Sequence, residues 1–509
     1  MRSPTERVTP APGREHLRAK SALRALVLQL HPLWLLALLL GAFALGLRLY
    51  QLGAESLWID EGYSIRDARD FDFTLGIRAV RPLYYAFLSL WLHFGNSEFI
   101  LRLPAALFGA GAVSVMYLLG RRLVSERAGL LAAALMAISP LHVNHSQEIR
   151  MYSLAALLSL LAMHAFVLFL SEQRLKYLLG YLAFTATSIA TFPPAAFLLL
   201  IQNLAAFARL RGRGLTYWAG TQFLVLAACA HFLIHTVRSS EGLAPERLTN
   251  PSALEIIGLI GSFSLFTNGP AGSLTWYAFY AYTLGTLMLI AFCALQTRKR
   301  DRTQSGRCLF LALWLVIPLM LTAVAVRTTG AQWLPRYVIY ASPAYFLLVG
   351  FSVDKLPNRR LKYLALAAVL AFPVWKLARY YERPVHPEWR EAVRFIELNE
   401  RSGDAIAIYR PGNGHVFQYY YDGRQPWQEV GGAKLQKKRP WTEKRAAGVI
   451  GDLPLGHRRV WLVMSEHDPE AGKAIEQYIR DEYRVLERRS YVGIEMILFE
   501  RQASHPRSG

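Results

Sequence analysis

The sequence predicts an α-helical polytopic membrane protein that ends in a small soluble α/β domain. Three observations carry that prediction. Apolar runs long enough to cross a bilayer recur from about residue 30 to residue 377. The Lys and Arg residues gather in short loops between those runs, as they do in the cytoplasmic loops of membrane proteins. From residue 378 to residue 509 the composition turns charged and soluble. The hydrophobic share of 53% and the mean hydropathy of +0.22 agree, since a soluble chain of this length would divide into several polar-surfaced domains. The formal charge of +21 is accounted for by the loop clusters, so no nucleic-acid partner is expected. Aromatic residues, at 12%, suit interface belts and a sugar-binding cavity.

Residues 1–29 form a basic tail with Arg14, Arg18, Lys20 and Arg24. A long apolar run with no A-x-A site follows, so the tail reads as uncleaved and cytoplasmic. The first crossing is Leu33 to Tyr50, and it leaves loop 52–81 outside. Further apolar segments lie at 82–95, 100–120, 127–142, 150–170, 177–191, 193–209, 216–236, 274–296, 308–326, 336–352 and 361–377. Five basic clusters should share the cytoplasmic side: Arg121-Arg122 with Arg127, Arg174 with Lys176, Arg209 to Arg213, Arg298 to Arg302, and Lys355 to Lys362. Parity then allows one net crossing between Asp60 and Arg121, where two apolar segments stand. Segment 82–95 is short and starts at Pro82, so it reads as re-entrant. The transmembrane region 30–377 thus holds about eleven to twelve segments, about eleven of them crossing, with the C-terminus outside.

Outside loop 238–273, with Pro245, Pro251 and Asn268-Gly269-Pro270, reads equally as a lid or acceptor-binding loop and as ordinary surface. In residues 378–509 the sequence predicts helices over Glu388–Glu400 and Ala471–Tyr483. Strands are expected over Ala405–Tyr409, Arg459–Met464 and Gly493–Phe499, which gives an extracytoplasmic α/β domain. It contains no nucleotide-binding loop, and the chain shows no internal repeat.

Four polar groupings fall at the outside ends of apolar segments, and their coincidence on one face matters more than any one of them. They are Asp60-Glu61-Gly62-Tyr63, Arg81-Pro82-Leu83-Tyr84-Tyr85, His145 to Tyr152, and Leu334-Pro335-Arg336-Tyr337. Carboxylates beside hydrocarbon are costly and are kept where an ion, proton or substrate needs them. Guanidinium groups grip phosphate oxygens through charge-assisted hydrogen bonds. Tyrosines offer an apolar body with a polar tip, and a carboxylate can take the proton of an acceptor hydroxyl. The bland readings stand beside these. Arg81 and Arg336 as snorkelling cations, the tyrosines as belt residues, Glu148 with Arg150 as a local ion pair, and Glu98 as the partner of Arg102 one turn away are the structural alternatives. The three cysteines, Cys229, Cys293 and Cys308, form no CxxC or CxxH pattern. His93, His142 and His145 show no metal spacing, and a divalent cation stays an open alternative without support.

The ordered set W-I-D-E-G-Y at Trp58–Tyr63, R-P-L-Y-Y at Arg81–Tyr85, F-G-N-S-E-F-I-L-R-L-P at Phe94–Pro104, S-Q-E-I-R-M-Y-S at Ser146–Ser153 and P-R-Y at Pro335–Tyr337 resembles a known family over residues 30–350. That family is the GT-C membrane glycosyltransferases that use polyprenyl-phosphate sugars, such as protein O-mannosyltransferases and lipid A aminoarabinose transferases. The resemblance implies a multi-helix membrane fold with a large first outside loop. It implies Asp60 as the main catalytic carboxylate assisted by Glu61, with Glu148 as a second acidic position. Arg81 would contact the lipid phosphate, and Arg336 and Tyr337 would line the donor pocket with Tyr84, Tyr85, Arg150 and Tyr152. Relatives often carry two prolines where this chain has Arg81-Pro82. The expected function is an inverting glycosyltransferase of the plasma membrane, with a polyprenyl-phosphate sugar as donor, an envelope glycan, lipid or protein as acceptor, and the bilayer as its setting. A flippase or transporter for a lipid-linked or anionic substrate, and a non-catalytic subunit of envelope assembly, are the alternatives.

Overall fold

The computed structural model describes residues 32–72, 81–240, 251–265, 274–329, 333–382, 386–431, 453–454, 456–465 and 482–502, with scattered positions from 473 to 479. The basic tail, part of loop 238–273 and most of the expected helix Ala471–Tyr483 lie outside the described residues.

The chain is a multi-pass membrane protein with a mixed sheet at its C-terminal end. Among the described residues, 7 helical stretches are long and apolar enough to cross a bilayer: Glu98–Leu123, Tyr152–Glu172, Gly212–Thr236, Thr275–Arg298, Arg302–Thr328, Pro335–Lys355 and Arg359–Glu382. Shorter helices complete the alternation between the two ends of the bundle. Helix α1 (Pro32–Leu49) leads to a loop, then to α2 (Ile59–Arg69) and α3 (Pro82–Trp91). Helix α3 has 10 residues, about 15 Å of helix against about 30 Å of hydrocarbon. Its end returns to the start of α4 (Glu98–Leu123), where the Trp91 indole donates to the Ile100 carbonyl at 2.8 Å. Segment 82–95 is therefore too short to cross.

From α4 onward the chain shuttles. Ser125 caps α5 (Glu126–Ile138) by accepting from the Ala128 N–H and also donates to Asp354 at 2.7 Å, joining two basic-loop ends. The chain breaks at Ser139-Pro140 into the single turn α6 (Pro140–Asn144), and α7 (Tyr152–Glu172) returns to the basic end, where Arg122 donates to Glu172 at 2.7 Å. Helix α8 (Leu175–Thr191) comes back to Phe192, which packs edge-on against Tyr152. Helices α9 (Leu198–Arg209), α10 (Gly212–Ser240), the short capped α11 (Ala253–Ser262), α12 (Leu274–Arg300), α13 (Arg302–Thr329), α14 (Ser342–Lys355) and α15 (Arg359–Glu382) complete the bundle. At the far end of α15, Tyr380 and Tyr381 donate to Gln147 and to the Leu47 carbonyl.

Small residues let the central helices touch backbone to backbone, the usual device where hydrocarbon supplies no hydrophobic drive. A Cβ on Gly129 would lie 2.5 Å from the Arg121 amide nitrogen, and one on Gly350 would lie 2.5 Å from the Ala128 carbonyl oxygen.

The C-terminal sheet has the order β2-β1-β3-β5-β4. Strand β1 (Asp404–Tyr409) pairs in parallel with β2 (Trp427–Val430) and β3 (Arg459–Ser465). Strand β5 (Ile494–Arg501) runs antiparallel to β3 and to the edge strand β4 (Tyr483–Tyr491). Helix α16 (Trp389–Asn399) precedes β1, and α17 (Asn413–Tyr420) follows it. The sequence predicts β1, β3, β5 and α16. It does not predict β2, which has four residues, or β4, whose Arg484, Glu487, Arg488 and Arg489 mask the alternation; both are edges, where charge is tolerated.

Gly129→Ala should lower the thermal unfolding temperature of the purified protein in detergent by the equivalent of about 1–3 kcal/mol, the usual cost of overpacking. Gly285→Ala, which meets open space, should leave it unchanged.

Candidate active site

Helix α2 starts at Trp58, and Glu61, three residues on, turns its carboxylate back to accept the Trp58 N–H at 3.3 Å. The same carboxylate is fully buried and holds Arg102, itself 2% exposed, at 2.7 Å. Arg102 spends all of its N–H donors there: two on Glu61, and one each on the carbonyls of Leu52, Glu55 and Ser56. Glu61 also accepts the Ile149 N–H at 2.8 Å. One ion pair thus pins the first loop, α4 and the 145–151 loop together. This corrects the expected Glu98–Arg102 pair. Arg102 points into the bundle, whereas Glu98 turns outward and takes Arg390 at 2.7 Å and the Tyr420 hydroxyl at 3.0 Å.

With Glu61 turned inward, its neighbour Asp60 points the other way. Its carboxylate is 25% exposed, 3.4 Å from Arg336 and 3.7 Å from Arg150. Both are loose ion pairs, longer than a well-formed N–H···O hydrogen bond. Arg150 is anchored from behind, donating to the Asp60 carbonyl and the Ser64 hydroxyl, each at 3.0 Å. The Arg336 guanidinium lies 5.6 Å from the Trp58 ring centroid, 6.0 Å from Tyr152 and 5.7 Å from Tyr337. Arg150 lies 5.9 Å from the Tyr152 ring. Arg81 is within electrostatic range of Tyr152 as well. The Nε atoms of Arg81, Arg150 and Arg336 and the indole nitrogen of Trp58 are buried without hydrogen-bond partners. Tyr84 and Tyr85 are buried and meet edge to face, with ring centroids 5.6 Å apart.

Glu148 does not pair with Arg150, which corrects the local ion pair considered above. Its two oxygens accept from Asn144 at 2.5 Å and from His145 Nδ1 at 2.9 Å. Burial alone would raise this carboxyl, but His145, aided by His386 and Arg336, brings it down to about 2. Among the described residues no three His, Cys, Asp or Glu side chains converge on a metal position.

The soluble domain roofs this end of the bundle. His386 stacks on Trp58 at 5.3 Å, and the Tyr420 hydroxyl accepts the Leu57 N–H at 2.7 Å. Arg390 donates to the carbonyls of Gly53, Ala54 and Glu55. Helix α17 lies against α2 so closely that a Cβ on Gly62 would sit 2.7 Å from a Val416 methyl group, and Arg66 donates to His415 Nε2 at 3.0 Å. Sequence reasoning missed Ser64, Asn144 and the roof residues as parts of this site; it singled out Arg102 only as a charge beside an apolar segment and His145 only as a member of the His145–Tyr152 grouping.

The arrangement is a cup: one partly exposed carboxylate, arginines on two sides of it, and aromatic faces between them. It can hold an anionic headgroup at the bundle's end and offers an oxygen to receive a proton.

The model of the dolichyl-phosphate-mannose-protein mannosyltransferase family matches residues 80–235, a stretch that includes Arg81, Tyr84, Tyr85, Glu148, Arg150 and Tyr152. No curated protein matches the chain. Among solved structures, ArnT from Cupriavidus metallidurans in the apo state is 14% identical with a TM-score of 0.57, covering 91% of this chain and 97% of ArnT. ArnT bound to undecaprenyl phosphate aligns at the same identity with a TM-score of 0.53. The oligosaccharyltransferase AglB from Archaeoglobus fulgidus, in complex with an inhibitory peptide and a dolichol-phosphate, is 12% identical with a TM-score of 0.54, covering 94% of this chain and 75% of AglB. The chain therefore has the GT-C fold.

Arg102→Ala leaves Glu61 buried and unpaired and should cost about 3–5 kcal/mol, read as a large fall in the unfolding temperature of the purified protein. A second test uses pH. The Glu148 carboxyl sits at about 2 in the folded protein, below about 4.3 when unfolded. Its contribution is full above the unfolded value and fades as pH falls through the folded one. Glu148→Gln should therefore flatten the loss of thermal stability between about pH 5 and pH 2.

Proposed function

We propose that this protein is an inverting glycosyltransferase that moves a sugar from a polyprenyl-phosphate donor to an envelope acceptor. The observation that carries this reading is the Asp60 carboxylate set between Arg150 and Arg336 at the end of a GT-C bundle. The donor's phosphate enters between the guanidinium groups while its lipid tail stays in the bilayer. Because both arginines hold Asp60 only in loose ion pairs, they can turn to phosphate oxygens without breaking a tight one. That frees a carboxylate oxygen for the acceptor. The unpartnered Nε atoms of Arg81, Arg150 and Arg336 are the donors such a headgroup would use.

In the reaction the acceptor oxygen bonds to the anomeric carbon as the bond from that carbon to the phosphate oxygen breaks. Asp60 takes the proton of a hydroxyl acceptor; a phosphate acceptor it would only orient. The electron pair leaves on polyprenyl phosphate, whose growing charge Arg150, Arg336 and Arg81 stabilise. Tyr84, Tyr85, Tyr152 and Tyr337 wall the donor site. Glu61 assists by position: through Arg102 it fixes the helix that carries Asp60. Glu148, both oxygens engaged, orients the 145–151 loop that bears Arg150. The basic loops at the opposite end support a plasma-membrane protein with the active site and soluble domain extracytoplasmic.

The test is release of polyprenyl phosphate by the full-length protein in nanodiscs, with a panel of radiolabelled polyprenyl-phosphate sugars and an envelope extract as acceptor. The wild type should release it from at least one donor. Asp60→Asn should nearly abolish release, and Arg150→Ala or Arg336→Ala should lower it by roughly 10²–10³, as for one lost oxyanion donor. Full activity in Asp60→Asn would remove the base assignment.

A further inference from the structure

At the opposite end of the bundle from Asp60 a cavity of about 170 Å³ opens between four helices. Arg122, Arg209 and Arg307 line it, together with Leu123, Val167, Leu170, Ser171, Ala205 and Phe310. The arginines come from three separate elements: the end of α4, the end of α9 and the first turns of α13. They are not equally engaged. Arg122 is tied to Glu172 at 2.7 Å and to Ser171 at 3.3 Å. Arg307 reaches only the Val124 carbonyl, at 3.5 Å. Arg209 has no hydrogen-bond or ion-pair partner among the described residues. The cavity thus carries three guanidinium groups against one engaged carboxylate, and its walls below the arginines are apolar.

We propose that this cavity binds the phosphate headgroup of an anionic membrane phospholipid. Charge complementarity selects an anion, and the apolar lining of Leu123, Val167, Leu170, Ala205 and Phe310 between membrane helices selects one that carries acyl chains. Basic pockets between transmembrane helices at the cytoplasmic surface hold anionic headgroups by this combination. The headgroup takes Arg209 and Arg307, and Arg122 stays with Glu172. The acyl chains leave along Val167, Leu170 and Phe310. The site is separate from the Asp60 cup and stands whether or not the glycosyltransferase reading holds.

The experiment is native mass spectrometry of the full-length protein released from nanodiscs of phosphatidylcholine mixed with phosphatidylglycerol. One phosphatidylglycerol should be retained in preference to phosphatidylcholine, and Arg209→Gln/Arg307→Gln should reduce that preference on the order of twentyfold, about fivefold for each charge removed. Arg209→Lys/Arg307→Lys should keep most of it. Unfolding temperatures in phosphatidylcholine alone check that both variants fold, and the Lys pair carries the test if the Gln pair does not. Equal retention of the two lipids would overturn the proposal. Loss of phosphatidylglycerol with Arg150→Ala/Arg336→Ala, but not with Arg209→Gln/Arg307→Gln, would place the lipid in the Asp60 cup instead. Displacement of the lipid by millimolar inorganic phosphate would make this a soluble-anion site and equally overturn it.

Discussion

The Glu61–Arg102 ion pair is the constraint on which the rest of the site depends. Two charges are taken wholly out of water, which costs several kcal/mol per ion unless the geometry repays it. Here every Arg102 donor is matched, and Glu61 gathers two backbone N–H groups besides. The carbonyls that Arg102 collects belong to an irregular loop that would otherwise have no ladder to satisfy them. A polar loop, a membrane helix and a second loop are thereby locked in one register. Asp60 follows from that register: with Glu61 committed inward, the preceding side chain must face the opening. The Asp-Glu dipeptide divides by direction: Glu61 is committed to the buried pair and Asp60 faces the opening.

Buried charge at this end is repeatedly satisfied by backbone breaks. Arg48 is fully buried near the end of α1, donating to Ser146 and to the carbonyls of Ala44 and Ala137, where α5 gives way to α6. A Cβ on Gly109 would fall 2.7 Å from its Nε. The break at Ser139-Pro140 thus provides acceptors for one arginine and leads into the turn that holds Glu148. The roof completes the same logic. The soluble domain reaches over the membrane end through Arg390, Tyr420 and His386, and its α17 lies on α2. The domain is a structural wall of the cup, and Gly62 is the residue that lets it approach.

Much of this architecture is legible in the sequence because hydrocarbon imposes length and charge rules that act locally. The apolar runs, the basic loops and the short segment beginning at Pro82 each carry their own signal, and the four polar groupings do meet at one end. What the sequence hid was pairing across distance. Arg102 has an acid one turn away and takes another forty-one residues back, because burial, not proximity along the helix, decides which pair is worth forming. The contribution of His386, Tyr420 and Val416 comes from more than three hundred residues away, with no periodicity to announce it. The edge strand β4 was hidden by charges that serve to keep that edge unpaired.

The two ends of the bundle both collect arginine, for different physical reasons. At the basic end Arg122, Arg209 and Arg307 surround a cavity whose nearby acid, Glu172, is tied to Arg122 at 2.7 Å; at the other, arginines flank a carboxylate held only loosely. The most direct measurement is a cryo-electron microscopy map of the full-length protein in nanodiscs with undecaprenyl phosphate. Phosphate density is expected within hydrogen-bond distance of Arg150 and Arg336, beside an Asp60 carboxylate released from both. Phosphate density elsewhere, with Asp60 still held between the two arginines, would contradict it.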